Sequence, residues 1–513
     1  MNMKSIHVKR FLLAGTFVAL FSQACTNLDE KVFSQVTQDN FFRTPEEFAS
    51  ALGAAYTNLY GFANHNGIFS IQEVSSDELM IPQRGNDWFD GGQWLRMKRH
   101  TFTPLEDSFN NAWSFCYSGI SACNRLIAQF EAIPNSSAVI AELRVLRAIY
   151  HFWLMDLFGN VPIVDKFAGA PARPANNTRA QVFAFIESEV NANVNQLSKN
   201  VDASTYGRVN FFVAQALLTK MYLNAQVYKG SPEFDKTIAA ADQIINGGKY
   251  SLEGNYFANF NPTNNGSKEN IFVIPYDEIF AQGFNLPQMT LHYGSQATFN
   301  LQQQPWNGYC TMEEFYNLYT GDANDTRRNN FLVGVQRTSG GAVILDSNAE
   351  SADPDGQPLT FTPEVNELEP NALRQAGARV GKFQYKLGAT PNLDNDYPLF
   401  RYADILLAKA EALCRKAGNW NDATARALFN QVRTRSGAAA LATTTEQDYI
   451  DERGREMFAE AVRRQDLIRF NQFRLVPTRR PVNGTASAAT RGLFPIPTNQ
   501  RNVNPNLAQN PGY

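Results

Sequence analysis

Apolar positions at helical spacing dominate both ends of this chain. From Pro45 to Tyr60, Phe48, Ala51, Leu52, Ala55 and Leu59 recur at steps of three and four, with Thr44 as an N-cap and Pro45 at the first helical position. A second helix is expected from about Phe109 to Phe130. The clearest stripe is Leu143, Leu146, Tyr150, Trp153, Leu154 and Leu157, with Glu142, Arg144 and Arg147 on other faces. Gly159 and Pro162 end it. Further amphipathic stretches cover Ala180 to Leu197, Asn210 to Tyr228 and Asp235 to Ile245, punctuated by Gly207, Gly230 and the Gly247-Gly248 pair.

Beyond Lys249 the composition turns to Asn, Gly, Gln, Pro and aromatics, and helical periodicity fades until Tyr397. Short strands such as Ile271 to Pro275 fit there. Helices resume over Tyr402 to Cys414, Asp422 to Arg435 and Glu446 to Phe470. The last carries Glu452, Glu456 and Glu460 among Arg453, Arg455, Arg463 and Arg464, a pattern that by itself reads as one solvated face. Successive amphipathic helices joined by short turns predict an all-α fold of stacked antiparallel pairs, as in tetratricopeptide arrays. No clean 34-residue period is visible, so insertions interrupt the repeats.

The first residues stand apart from this pattern. Lys4, His7, Lys9 and Arg10 precede an apolar run from Phe11 to Phe21, which at about 1.5 Å per residue cannot cross a ~30 Å hydrocarbon core. Residues 1–24 therefore read as a signal peptide. Ser22-Gln23-Ala24-Cys25 resembles a lipobox, which makes Cys25 the acylated mature N-terminus; ordinary cleavage near Ala24 is the alternative. The mature chain, 25–513, is expected to be a single unit: an N-terminal helical part (25–248), a loop-rich insertion (249–396), and C-terminal helices with an extended, Pro-rich tail (397–513).

With 46 Lys+Arg against 49 Asp+Glu, the net charge of −3 gives no electrostatic footing for nucleic acid. Hydrophobic residues at 44% supply a sizeable core. Export permits disulfides, but Cys116 and Cys123 fall on one helix roughly 10 Å apart along its axis, beyond bridging distance. No HExxH, GxSxG or GxxxxGK occurs, and the histidines after the leader lie far apart in sequence. No cofactor is implied.

Aromatic placement carries more. Trp88 and Trp94 fall in PQRGNDWFDGGQW and Trp306 in QPWNGYC, stretches too rich in Gly, Asn and Gln for ordinary core. A flat ring on such a loop suits the C–H face of a sugar, while neighbouring amides and charges hydrogen-bond hydroxyls. The alternative is a loop Trp folded back as a hydrophobic plug. Asp77, Arg84 and Arg379 join the candidate site as charged contacts.

The segments LDEKVFSQVTQDNFF (28–42), LRVLRAIYHFWLMDLFGNVPI (143–163), FRYADILLAKAEAL (400–413), NQVRTRSG (430–437), ERGREMFAEAVRRQDLIRF (452–470), LFPIP (493–497) and NPNLAQNPGY (504–513) together resemble the SusD/RagB family. That resemblance implies tetratricopeptide-like helix pairs with a loop-rich capping portion. It implies a lipid-anchored, surface-exposed glycan-binding protein of the outer membrane, not an enzyme, acting as the lid of a SusC-like TonB-dependent transporter. It also implies that the Arg and Glu positions of 452–470 form interhelical pairs, that the tail ending in Asn510-Pro511-Gly512-Tyr513 docks, and that the loop-rich insertion (249–396) is ligand-binding. SSDEL (75–79) with the following loop, and GYCT (308–311), resemble ligand-contact segments, which adds Tyr309 and Cys310 to the site. A peptide-binding importer component or a helical-repeat scaffold is the alternative, and a secreted glycosidase has the least support.

Overall fold

The computed structural model describes residues 45–85, 87–169, 171–346 and 356–513. Cys25, the leader and Thr44 lie outside them. Residues 50–513 form one unit; of the other, 1–49, only the opening turn of the first helix is described.

The helical stripes become α1 (Pro45–Tyr56), α2 (Ile68–Ser75), strand β1 (Leu79–Met80), α3 (Gln93–Lys98), α4 (Asp107–Phe130), α5 (Ser137–Phe158), α6 (Arg179–Asn193), α7 (Phe211–Leu223) and α8 (Phe234–Ile245). α4 and α5 are joined by a six-residue turn and pack along each other, as do α5 with α6 and α7 with α8. Gly119 makes the α4–α5 approach possible. A Cβ there would stand 2.2 Å from Tyr150 Cζ, so the tyrosine ring lies directly on the α4 backbone. Thr178 and Gln181 cap α6 reciprocally, and the Asn210 carboxamide accepts from Phe212 and Val213 N–H to start α7. Trp113 and Trp153 are buried, as helix-face tryptophans should be.

The middle of the chain is built from two-stranded pieces rather than one sheet. β1 pairs antiparallel with β3 (Cys310–Thr311), and β2 (Asn270–Ile274) with β8 (Tyr397–Arg401). Between them, β4 (Phe331–Leu332) pairs with β7 (Arg379–Val380), and β5 (Gly334–Val335) with β6 (Thr360–Phe361).

The C-terminal helices are α9 (Tyr402–Ala417), α10 (Ala423–Arg435), α11 (Glu446–Met457) and α12 (Arg463–Arg469). Leu406, Leu407, Ala410, Phe429, Val432, Tyr449, Ile450 and Leu467 form their shared core. Each large apolar side chain there contributes about 1.5–3 kcal/mol by leaving water.

The expected helix from Glu446 to Phe470 is two helices, because the chain leaves helical geometry at Phe458 and holds Ala459 and Ala461 at φ 58° and 56°. Ala459 N–H donates to Glu78 Oε2 (2.9 Å) and Ala461 N–H to Glu73 Oε1 (2.7 Å), so two carboxylates from α2 and its exit pull the turn open. Its charges are not a solvated face either. Glu452, Arg453, Glu456, Glu460, Arg463 and Arg464 are all buried and paired, for instance Arg453 with Asp404 and Asp466, and Arg464 with Asp156.

Candidate functional site

An antiparallel pair two residues long positions the site. Leu79 faces Thr311 and Met80 faces Cys310, so the chain leaving β1 and the chain entering β3 meet at one end of the ladder. The loop after β1 carries Trp88, and the segment before β3 carries Trp306. Distant in sequence, they come to 5.6 Å between ring centroids.

Trp88 is the hub. His65, Trp94, Trp306 and Tyr309 surround it at 5.8, 5.9, 5.6 and 5.2 Å, all edge-on with interplanar angles of 71–74°. His65 also meets Trp306 at 5.1 Å and 79°. Its imidazole is shifted down, first by burial, against an opposing pull from Asp90, so it is a neutral ring at pH 7. Gly308 supplies the floor. A Cβ there would sit 2.1 Å from Trp88 Cε3, so no other residue leaves room for the indole.

Asp90, at φ 46°, orients both tryptophans of its loop. Its Oδ2 accepts from Trp88 Nε1–H (2.5 Å) and from Trp94 Nε1–H (2.8 Å). With the polar edges of the indoles satisfied in this way, their apolar surfaces are left to face outward or to pack.

The candidate residues separate by depth. Trp306 is 37% exposed and Trp88 is half-buried, so both present ring surface to solvent. Trp94, at 1% exposure, and Tyr309, fully buried with its hydroxyl 2.5 Å from Ser70 Oγ, lie beneath and support Trp88. Their expected direct contact with a ligand is corrected to a supporting one.

The charged candidates are corrected in the same sense. Asp77 is buried in a fork, Oδ1 with Arg463 Nε (2.8 Å) and Oδ2 with Arg463 Nη2 (3.0 Å) and Arg479 Nη1 (2.5 Å). Burial alone would raise its pKa, but the two arginines prevail and hold it well below the carboxylate range. Arg84 donates to the carbonyls of Leu373 (3.1 Å), Asn307 (2.8 Å), Gly308 (2.7 Å) and Ala376 (2.8 Å). Arg379 donates to the Ala376 carbonyl (2.8 Å), to Asn307 Oδ1 (2.7 Å) and to the Arg374 carbonyl (2.5 Å). Both guanidiniums are buried and bind the 81–92, 305–309 and 371–379 segments into one piece. Cys310 is a buried free thiol against Gly377, turned away from solvent. These four are buried and hold the loops together, with no side-chain surface presented to solvent.

Three residues that the sequence reading did not single out belong here. His65 gave no signal beyond a lone histidine in a turn. Asp90 was legible in principle, two positions after one Trp and four before the next. Phe89, 40% exposed, is a further ring at the loop tip. Among the described residues no group of three or more His, Cys, Asp or Glu is arranged to hold a metal ion.

Residues 268–513 match the model of the "SusD family", and residues 27–223 match a model described as "Starch-binding associating with outer membrane". The chain is 26% identical over 501 residues to the starch-binding protein SusD of Bacteroides thetaiotaomicron, covering 87% of this chain and 85% of that protein. It is 24% identical over 497 residues to a SusD-like protein of Bacteroides ovatus, with 92% and 84% covered. Among solved structures, surface glycan-binding protein A from Bacteroides thetaiotaomicron in complex with laminarihexaose superposes with a TM-score of 0.73 at 23% identity, covering 91% of this chain and 99% of that one. A laminarin-binding SusD-like protein gives 0.71 at 23% identity, with 92% and 100% covered. Both share this fold of tetratricopeptide-like helix pairs with a loop-rich cap. The two family models together match residues 27–223 and 268–513, and the chain belongs to the SusD family.

Proposed function

We propose that this chain is a non-catalytic, cell-surface glycan-binding lipoprotein of the outer membrane. Cys25 carries the acyl anchor, and the protein acts as the lid of a SusC-like TonB-dependent transporter in nutrient uptake. The observation that carries the binding role is the cluster of Trp88, Trp306 and His65, exposed ring surface bordered by Asp90 and braced by Trp94 and Tyr309. Such a corner offers apolar faces to sugar C–H groups and an acceptor to hydroxyls. Similarity to proteins named for starch and laminarin binding supports the same reading. No helix among the described residues is long and apolar enough to cross a membrane.

Calorimetric titration with glucan oligosaccharides, laminarihexaose and maltoheptaose first and a glycan array beyond them, tests the binding role. Saturable binding that Trp88→Ala and Trp306→Ala each weaken about tenfold or more is expected. Binding of peptides and of no glycan overturns it. For the partner, affinity purification from detergent extracts is expected to recover a TonB-dependent barrel. For the anchor, fatty-acid labelling is expected in the wild type and not in Cys25→Ala.

A further inference from the structure

Asp90 puts a charge on the aromatic corner that no cation among the described residues is paired with. Asp90 is exposed, and its Oδ2 is engaged by both indole N–H groups and, at 3.4 Å, by Gln93 Nε2. Among the described residues, Oδ1 makes no hydrogen bond. The other carboxylate of the loop, Asp87, is compensated: it accepts from the Tyr293 hydroxyl and from Asn307 Nδ2 (3.1 Å), with Arg374 Nε at 3.4 Å. The cations nearby face elsewhere. Arg84 and Arg379 are buried against backbone carbonyls, and Arg96 is paired two-pronged with Glu106 while donating to the Gly91 carbonyl. The field of Asp90 reaches across the cluster: it opposes the burial that lowers the His65 imidazole and adds to the burial that raises the Tyr309 hydroxyl.

We infer that Asp90 is a specificity-determining residue that makes this site select uncharged glycans and reject those carrying carboxylate or sulfate groups, an inference that rests on the glycan-binding reading above. The physical ground is a like-charge penalty. A ligand anion stacked on Trp88 or Trp306 would lie within roughly 7 Å of the Asp90 carboxylate, and between water and a half-shielded surface that repulsion weakens binding roughly three- to tenfold. Among the described residues no cation is paired with Asp90 to offset it. The free Oδ1 meanwhile accepts from a neutral sugar hydroxyl, so the same group favours one class as it disfavours the other.

Asp90→Asn isolates the charge. Asparagine tolerates a left-handed φ and keeps an oxygen to accept from the two indoles, so the rings stay oriented while the charge goes. The experiment is a glycan array, followed by titration of matched pairs such as a neutral glucan oligosaccharide and its carboxylated counterpart, with wild type, Asp90→Asn and Trp88→Ala. Wild type is expected to retain the neutral ligands and to bind anionic ones three- to tenfold more weakly. Asp90→Asn is expected to bring the two classes within about twofold, and raising salt to about 0.5 M is expected to narrow the gap in wild type but not in the variant. If wild type prefers anionic ligands, or Asp90→Asn leaves the ratio between the classes unchanged while Trp88→Ala still weakens binding about tenfold or more, the inference fails and the glycan-binding reading stands. If no glycan binds any of the three, both fall. Asp90→Ala, which removes the indole acceptor as well, is expected to lower affinity for every ligand, and that separates orientation of the rings from charge.

Discussion

Trp306 keeps 37% of its surface exposed and Trp94 keeps 1%, so one kind of truncation separates two roles. Trp306→Ala is expected to leave stability within about 0.5 kcal/mol while weakening glycan binding about tenfold. Trp94→Ala removes a ring from the interior and is expected to cost about 3–5 kcal/mol in urea unfolding. Equal destabilisation by the two would show that Trp306 is packing, not a platform. Gly308→Ala tests the floor: its methyl would occupy the space of the Trp88 ring, so binding is expected to fall as far as in Trp88→Ala, with little loss of helical signal in circular dichroism. The aromatic loops were legible in the sequence because a tryptophan amid Gly, Asn and Gln has no helical stripe to join. The fate of the charged candidates was not. Asp77 meets Arg463 across 386 positions and Arg84 meets Ala376 across 292, and no local pattern tells a loop charge that faces a ligand from one that fastens the loop.

At the scale of elements, the break between α11 and α12 is where periodicity misled. Residues 446–470 carry a continuous helical charge pattern, but the chain turns at Phe458 to Ala461 because Glu73 and Glu78 offer better partners for two N–H groups than another helical turn would. The remaining oxygens, Glu73 Oε2 and Glu78 Oε1, have no partner other than each other's carboxylate. Burial raises the pKa of both, and the charge of Glu73 raises Glu78 further, against Lys382 and Arg463 nearby, so the pair retains a proton at neutral pH. The folded chain then binds more protons than the unfolded one from about pH 4.5 upward to the raised native value, and stability falls as pH rises through that window. The opposite group, Glu411 and Glu452, is buried too, but neighbouring arginines hold each at about 2, so their contribution is lost only as pH drops below the usual carboxylate range. The pair's own contribution is therefore expected to decline from about pH 5 toward its raised native value, against the opposite trend of buried His100, His151 and His292, which burial holds at about 3 and which favour folding as pH rises to about 6.5. Glu78→Gln keeps an acceptor for Ala459 N–H and is expected to flatten that decline. A variant with the wild-type slope would remove the pair as its source.

Across the whole molecule, buried charge ties together segments that the sequence presents as separate parts. Glu456 on α11 meets Arg327 (3.0 Å), Arg401 of β8 (2.9 Å) and Arg435 of α10, and Arg401 and Arg435 both return to Glu269 beside β2. The helix flanks and the loop-rich insertion therefore share one interior. Arg401→Met would leave Glu269, Glu456 and Glu460 without their common partner and is expected to cost about 3–5 kcal/mol, more than any exposed pair is worth. The C-terminal segment closes the other end. Phe494 packs against Phe102 and Phe109 at 5.3 and 4.7 Å, its N–H donates to the Leu157 carbonyl (2.8 Å), and Asn510 Nδ2 donates to the carbonyls of Phe158 (2.8 Å) and Phe494 (2.7 Å). Removing 494–513 strips Phe494, Ile496 and Leu507 from the core at about 1.5–3 kcal/mol each and leaves the Phe102 and Phe109 rings open to water. The truncated chain is expected to melt several degrees lower, still in one transition, because the charge lattice around Glu456 lies elsewhere and still joins flanks and insertion. An unchanged melting temperature would show the tail to be a passenger, and two separated transitions would show that the parts do not fold as one.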